Sequence, residues 1–145
     1  RRAKSDSIGH LAEVELPTGL MMASKQVQQM RAQGMQIGAH TVNHPILAKI
    51  DLKTAELEIG NSKEFLEGLL REPVNLFAYP NGKPGQDYLP EHAALAKKLG
   101  FAAAVATSGG VASSKSNPFD IPRFTPWDKK RLAFGTRLLR NHVQP

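Results

Sequence analysis

The sequence contains no cysteine among its 145 residues. This absence excludes disulfide bonds, thiolate metal sites and cysteine nucleophiles, so nitrogen and oxygen ligands would have to hold any metal ion. The sequence also lacks the run of roughly 18 apolar residues that a membrane-spanning helix requires. It has no signal-peptide pattern of basic, apolar and small-residue regions, and it begins with Arg1 rather than methionine. We therefore expect a fragment or a processed product.

Acidic residues are few, because 13 aspartates and glutamates stand against 19 lysines and arginines. The resulting formal charge of +6 suits an acidic partner such as nucleic acid, an anionic glycan or a membrane surface. The basic residues are spread along the chain, however, and no aromatic residues alternate with them to stack on bases. The composition favours a solvated basic surface on an ordinary globular protein over a nucleic-acid site.

Helical patterns recur along the chain. The first predicted helix covers Lys25 to Gln33, and the second runs from about Asp51 to Leu70 with apolar residues at three- and four-residue steps. A third helix is predicted to begin at Pro90 and to end before Gly100, since proline favours a first helical position and glycine follows helix ends. The segment from Lys129 to Arg140 is predicted to form an amphipathic helix.

Short apolar segments typical of buried strands lie between these helices. They are MQIGAHT at 35–41, VNLFAYP at 74–80 and FAAAVAT at 101–107. Strands that alternate with helices at this spacing favour right-handed crossovers and a parallel sheet or barrel wall. We therefore predict one α/β domain over residues 1–145. Chemistry in such folds gathers at the carboxyl ends of the strands, where HTVNH and YPNG both lie.

His40 and His44 stand four residues apart in IGAHTVNHP. Residues with this spacing share one face of a helical turn or of a strand, so both imidazoles can point at one ion. The H-E-x-x-H motif of zinc proteases does not fit, because Thr41 occupies the position of the glutamate base. A purely structural alternative has His40 bonded to backbone and His44 exposed before Pro45. The spacing alone leaves both alternatives open.

The segment GAHTVNHPIL resembles the His-(Ser/Thr)-x-x-His motif of the polysaccharide deacetylase family. LFAYPNG is similar to the strand-and-turn motif that follows in that family, and the amphipathic helix between them keeps the family's order. The pattern of elements from Met22 to about Trp127 is similar to the later half of that domain. The resemblance implies a partial, distorted (β/α) barrel that lacks the N-terminal strands.

The resemblance also implies a bacterial metal-dependent hydrolase that removes acetyl groups from N-acetylglucosamine-type glycans, in the cytoplasm or the cell envelope. His40 and His44 match the two histidine ligands of a divalent ion, usually zinc, and an aspartate would be the third. Such a ligand set leaves one position open for water, whose pKa the ion lowers to about 7. A second carboxylate would accept the proton from that water.

Three residues of the turn motif match further positions of the family. The backbone N–H of Asn81 corresponds to a donor that faces the developing oxyanion, which would give Asn81 a catalytic role. Tyr79 and Pro80 would shape the wall of the acetyl pocket and so bind substrate. The alternative for all three residues is a plain turn at the end of a strand.

The C-terminal part of the chain offers two more candidates. Many family members carry an arginine where Ala78 stands, and that arginine orients a catalytic carboxylate. Arg123 in IPRFTPW lies at the end of another predicted strand and is a candidate to supply this catalytic positive charge instead. Trp127 is a candidate for stacking on a sugar ring, with packing as its alternative. We expect His92, on the apolar face of its helix, to be structural, and we assign no role to His142.

One part of the family's pattern is absent from this sequence. The first motif of the family supplies both the metal-binding and the base aspartate, and the only aspartate before His40 is Asp6, in a segment without a flanking apolar strand. We therefore expect the chain alone to be nearly inert and a missing N-terminal segment, or another copy, to complete the barrel. The competing function is a non-catalytic module that binds glycan or nucleic acid.

Overall fold

The computed structural model describes residues 21–124 and 127–143. The chain forms two compact units, residues 1–35 and residues 36–145. The described part of the first unit contains helix α1 (Ser24–Ala32), in agreement with the predicted helix. In its first turn, Gln26 Oε1 accepts a hydrogen bond of 2.7 Å from the Ala23 N–H. The single domain expected over residues 1–145 stays a prediction.

The second unit contains the other predicted helices and two short strands. In chain order these are a 3-10 turn (Leu47–Lys49), α2 (Leu52–Leu70), β1 (Leu76–Ala78), α3 (Pro90–Lys98), β2 (Ala103–Val105) and α4 (Arg131–Val143). The second unit is thus a mixed α/β structure, as the sequence predicts. Among the described residues, no helix combines the length and the apolar character that crossing a membrane requires.

Strands β1 and β2 pair in parallel, with Phe77 opposite Ala104. Single parallel bridges extend this sheet on both sides, one from Ala39 to Phe77 and one from Ile121 to Val105. The strand expected over residues 35–41 is therefore reduced to the bridge at Ala39. Because all four segments run in the same direction, their carboxyl ends meet at one edge of the sheet.

Helix α2 begins at Leu52 because Asp51 caps it. The Asp51 carboxylate accepts hydrogen bonds from the Thr54 N–H at 2.9 Å and from the Thr54 hydroxyl at 2.6 Å, which satisfies a backbone donor that the helix itself leaves free. Ala55 and Ile59, four residues apart on the inner face of the helix, have no exposed surface. This face fixes α2 on the core.

The core of the second unit lies between the sheet and helices α2 and α3. Its apolar members, all at most 5% exposed, are Ala39, Leu47, Ala55, Ile59, Val74, Phe77, Tyr79, Tyr88, Leu95, Ala96, Phe101, Ala104 and Ala106. Several of these residues belong to the strands or directly follow them. Buried core residues therefore lie directly at the carboxyl edge of the sheet.

His92 is the structural histidine that its position on the apolar helix face predicts. It is 3% exposed, and its Nδ1 accepts a 3.0 Å hydrogen bond from the Leu89 N–H at the start of α3. Burial lowers the pKa of His92 below its ordinary value of 6.5, because the imidazolium form would lose its hydration. The imidazole is therefore neutral in the folded protein at neutral pH.

This lowered pKa predicts a loss of stability in mild acid. Below pH 6.5 the unfolded chain takes up a proton that folded His92 resists, so the free energy of unfolding falls as the pH drops below that value. We expect the wild-type melting temperature to decrease between about pH 7 and 5.5. His92→Gln keeps an acceptor for the Leu89 N–H and should flatten this slope, whereas the exposed His142→Gln should not. If the melting temperature fell equally with pH in wild type and in His92→Gln, the lowered pKa of His92 would be contradicted.

Candidate functional site

The histidine pair begins directly after the first bridge of the sheet. The Ala39 N–H donates to the Leu76 carbonyl at 2.8 Å, and the Ala78 N–H donates to the Ala39 carbonyl at 2.9 Å, so the backbone entering His40 is fixed beside β1. The Nδ1 atom of His40 lies 2.7 Å from the Ala78 carbonyl oxygen. Because a carbonyl oxygen only accepts, Nδ1 donates in this bond, and Nε2 is the ring nitrogen left for a ligand. Histidine ligands of metals are commonly oriented by such a bond.

His44 is brought back beside His40 by an unusual backbone. Thr41 and His44 have positive φ angles of 62° and 55°, and a left-handed conformation costs a non-glycine residue on the order of 1–3 kcal/mol. Thr41 Oγ1 accepts a 3.1 Å hydrogen bond from the His44 N–H. The two imidazole rings lie 4.8 Å apart between centroids, at 71° to one another, and both residues are exposed. The rings are close enough to share one ion.

The loop between the histidines is fixed to helix α2 by Glu58. One oxygen, Oε2, accepts from the Val42 N–H at 3.0 Å and from the Asn43 N–H at 2.8 Å, and Oε1 accepts from the Asn43 side-chain amide at 2.6 Å. Partial burial would raise the pKa of the Glu58 carboxyl, but these hydrogen bonds outweigh it and hold the pKa below its ordinary value. Sequence reasoning missed Glu58, because no motif links it to the histidines.

The turn after β1 lies against the end of β2. Asn81 and Gly82 both have positive φ angles, 58° and 81°, and the Thr107 hydroxyl donates to the Asn81 carbonyl at 2.7 Å. A Cβ on Gly82 would come within 3.1 Å of Thr107 and 3.2 Å of the Tyr79 carbonyl, and the positive φ angle would strain any other residue, so glycine is strongly favoured here. Within residues 21–124 and 127–143, no group accepts a hydrogen bond from the Asn81 N–H. That N–H is free for a ligand.

Tyr79 and Pro80 are placed in the core. Tyr79 is 1% exposed, its ring stacks on Tyr88 at 3.7 Å, and its hydroxyl donates to the Phe119 carbonyl at 2.9 Å. Burial raises the pKa of Tyr79, so its hydroxyl stays protonated. The Tyr88 hydroxyl donates to Asp120 at 2.6 Å. The substrate contact expected of Tyr79 and Pro80 stays a prediction, and their observed role is to support the turn.

Arg123 and Trp127 lie at the same edge of the sheet but in a separate cavity. The Arg123 N–H donates to the Ser108 carbonyl at 3.0 Å, which places Arg123 just after the Ile121 bridge. Both residues line a cavity of about 890 Å³ beside helix α4, and Trp127 is 77% exposed. Neither His40 nor His44 is among the described residues that line it. The catalytic role of Arg123 and the sugar contact of Trp127 stay predictions.

The donor set fits part of a metal site. His40 and His44 supply two exposed imidazoles, whereas catalytic zinc sites commonly have three protein ligands. In the part of the chain that the structure describes, no group of three or more histidine, cysteine, aspartate or glutamate residues is arranged to hold a metal ion. Asp6 lies outside the described residues. The pair therefore fits two of the three protein ligands.

Comparison with known proteins gives one family. The model of the polysaccharide deacetylase family matches residues 8–104, which include both the histidine pair and the turn after β1. Among curated proteins, the chain is 24% identical over 102 residues to YxkH of Bacillus subtilis (strain 168), which is named as a polysaccharide deacetylase. That match covers 70% of this chain and 35% of YxkH.

Solved structures agree with this result. The Streptococcus pyogenes deacetylase PplD in complex with acetate is 28% identical, with a TM-score of 0.68 over 74% of this chain and 46% of PplD. IcaB from Ammonifex degensii is similar in fold, with 18% identity and a TM-score of 0.66 over 83% of this chain and 53% of IcaB. The chain thus spans about half the length of these solved relatives and about a third of YxkH.

Proposed function

Since the chain belongs to the polysaccharide deacetylase family over residues 8–104, we propose that it supplies the histidine half of a metal-dependent deacetylase site. The reaction is hydrolysis of the amide bond that joins an acetyl group to an N-acetylglucosamine-type glycan. His40 and His44 hold a divalent ion, most often zinc. When bound, such an ion supplies Lewis acidity for the acetamide carbonyl and for a water molecule.

The orientation of His40 is the observation that carries this proposal. Its Nδ1–H···O bond to Ala78 leaves Nε2 as the ring nitrogen for an ion, and the His44 ring lies 4.8 Å away between centroids. The same strand residue, Ala78, leads three positions later to Asn81, whose N–H has no partner among the described residues. An amide donor at this edge suits the negative charge that develops on the acetamide oxygen. The histidine pair and the oxyanion donor are thus connected through one short strand.

The remaining parts of the site come from outside the described residues. The four parallel segments of the sheet form one wall of a distorted (β/α) barrel, and the third ligand and the base are carboxylates on the rest of that barrel. A preceding segment, or another copy of the chain, supplies them. The length of the solved relatives supports this division, because the chain covers only 46% of PplD. We propose that the glycan extends along this edge toward Arg123 and Trp127, which line the cavity beside helix α4.

Acetate release tests the proposed reaction. The substrate is an N-acetylglucosamine oligomer, and the enzyme is the protein expressed from its complete gene, treated with a chelator and reloaded with zinc. We expect activity to vanish with the chelator, return with zinc, and be lost in His44→Ala but not in His142→Ala. The 145-residue chain alone should be slower by about 10²–10⁴-fold or more, because we propose that the base lies outside the described residues. Undiminished release by His44→Ala would overturn the proposal.

A further inference from the structure

Glu58 binds the loop between the two histidines at three points. Its carboxylate accepts the backbone N–H groups of Val42 and Asn43 and the side-chain amide of Asn43, at distances between 2.6 and 3.0 Å. The next backbone N–H, that of His44, is taken by Thr41 Oγ1. Two side chains therefore satisfy three consecutive backbone donors between His40 and His44. Hydrogen bonds to a charged acceptor are among the stronger ones in proteins.

These hydrogen bonds compensate for an unfavourable backbone. Thr41 is β-branched and has a φ angle of 62°, and His44 has a φ angle of 55°, so both residues would relax to negative φ in an unrestrained loop. Such a change at either residue would move the His44 ring away from His40. A left-handed pair of this kind persists only when its surroundings hold it.

Helix α2 holds the backbone of Glu58 in a fixed position. Ile59, the next residue, and Ala55, one turn earlier, are both 0% exposed, so the position of Glu58 is set by the core and not by the loop. Both carboxylate oxygens of Glu58 are engaged by the loop. This engagement argues against Glu58 as the third metal ligand or as the base.

We propose that Glu58 is a positioning residue that holds residues 41–44 in the conformation that sets the two imidazoles side by side for one metal ion. The proposal rests on the proposed function for its metal, and on the observed loop for its geometry. It assigns a role in metal binding to a residue that touches neither the ion nor the substrate.

Zinc titration of three variants tests the proposal. Removing a partner that orients metal ligands commonly weakens metal affinity by about 10–100-fold, and we expect a zinc Kd weaker by that factor in Glu58→Ala. Glu64→Ala, an exposed glutamate on the same helix, should match wild type. Glu58→Gln keeps an oxygen for the two backbone N–H groups and should recover most of the affinity. A lower melting temperature with unchanged zinc affinity in Glu58→Ala would overturn the proposal.

Nuclear magnetic resonance of the metal-free protein tests the effect of Glu58 on the loop independently of zinc binding. In the metal-free wild-type chain, the rings of His40 and His44 are close enough for a nuclear Overhauser effect between their protons. Glu58→Ala should remove this signal and speed hydrogen exchange at Val42 and Asn43 at least tenfold, with Glu64→Ala unchanged. If the protein expressed from its complete gene bound no zinc, the proposed function would be overturned, and the ring contact would still decide the role of Glu58. If the contact between the His40 and His44 rings persisted in Glu58→Ala, the positioning role of Glu58 would be refuted.

Discussion

Replacing His40 by alanine is expected to weaken zinc binding to the chain by roughly a hundredfold or more. Loss of a group that only orients a ligand already costs about 10–100-fold, and His40→Ala removes one of the two ligands that we propose. The Ala78 carbonyl would also lose the donor that it has in the wild type. Competition with a chromophoric chelator measures the affinity.

The matched variants sharpen this expectation. His44→Ala should lose as much affinity as His40→Ala, because either single imidazole alone is a weak site. The double variant should lose little more than either single variant, since ligands that act together are not additive. His142→Ala, on helix α4, is the histidine control and should bind zinc as the wild type does. Wild-type affinity in His40→Ala would show that zinc binds elsewhere.

The helices were predictable from sequence because their signals are local. The apolar spacing of α2 and the cap at Asp51 lie within the helix itself, and Pro90 marks the start of α3 in the same way. The strands were predicted longer than they are, because an apolar segment shows burial but not how many residues find a pairing partner. The segment at 35–41 forms a single bridge at Ala39.

The candidate site was predictable only as two motifs. The bond from His40 to Ala78 joins residues 38 positions apart and depends on the register of Ala39 against β1, which no local pattern specifies. The role of Glu58 was not predictable for the same reason, because its hydrogen bonds join residues 15 and 16 positions apart. The burial of Tyr79, in contrast, had a usable signal, because residues two apart on a strand share a face and Phe77 is a core residue. The ring of Tyr79 lies in the core, and its part in the wall of an acetyl pocket stays a prediction.

Phe77 is the residue whose truncation should destabilise the protein most. It lies at the centre of β1, is 2% exposed, and its ring packs edge-to-face on Tyr79 at 5.2 Å and against Phe101 at 5.3 Å. Phe77→Ala removes these contacts and leaves a cavity, which typically costs about 3–5 kcal/mol. Domains of this size are commonly stable by only about 5–15 kcal/mol. We therefore expect urea unfolding to show a large fraction of the free energy of unfolding lost.

Phe65→Ala is the control for the same side chain on a surface. Phe65 lies on α2 and is 63% exposed, so its truncation should change the free energy of unfolding by no more than about 0.5 kcal/mol. Both variants remove the same side-chain atoms, but only Phe77 is buried, so the difference between them measures chiefly what the Phe77 ring contributes to the core. Because the backbone of Phe77 bridges to Ala39, the residue before His40, loosening β1 should also weaken zinc binding at temperatures where Phe77→Ala is still largely folded. Equal stabilities of Phe77→Ala and Phe65→Ala would show that the sheet does not centre on Phe77.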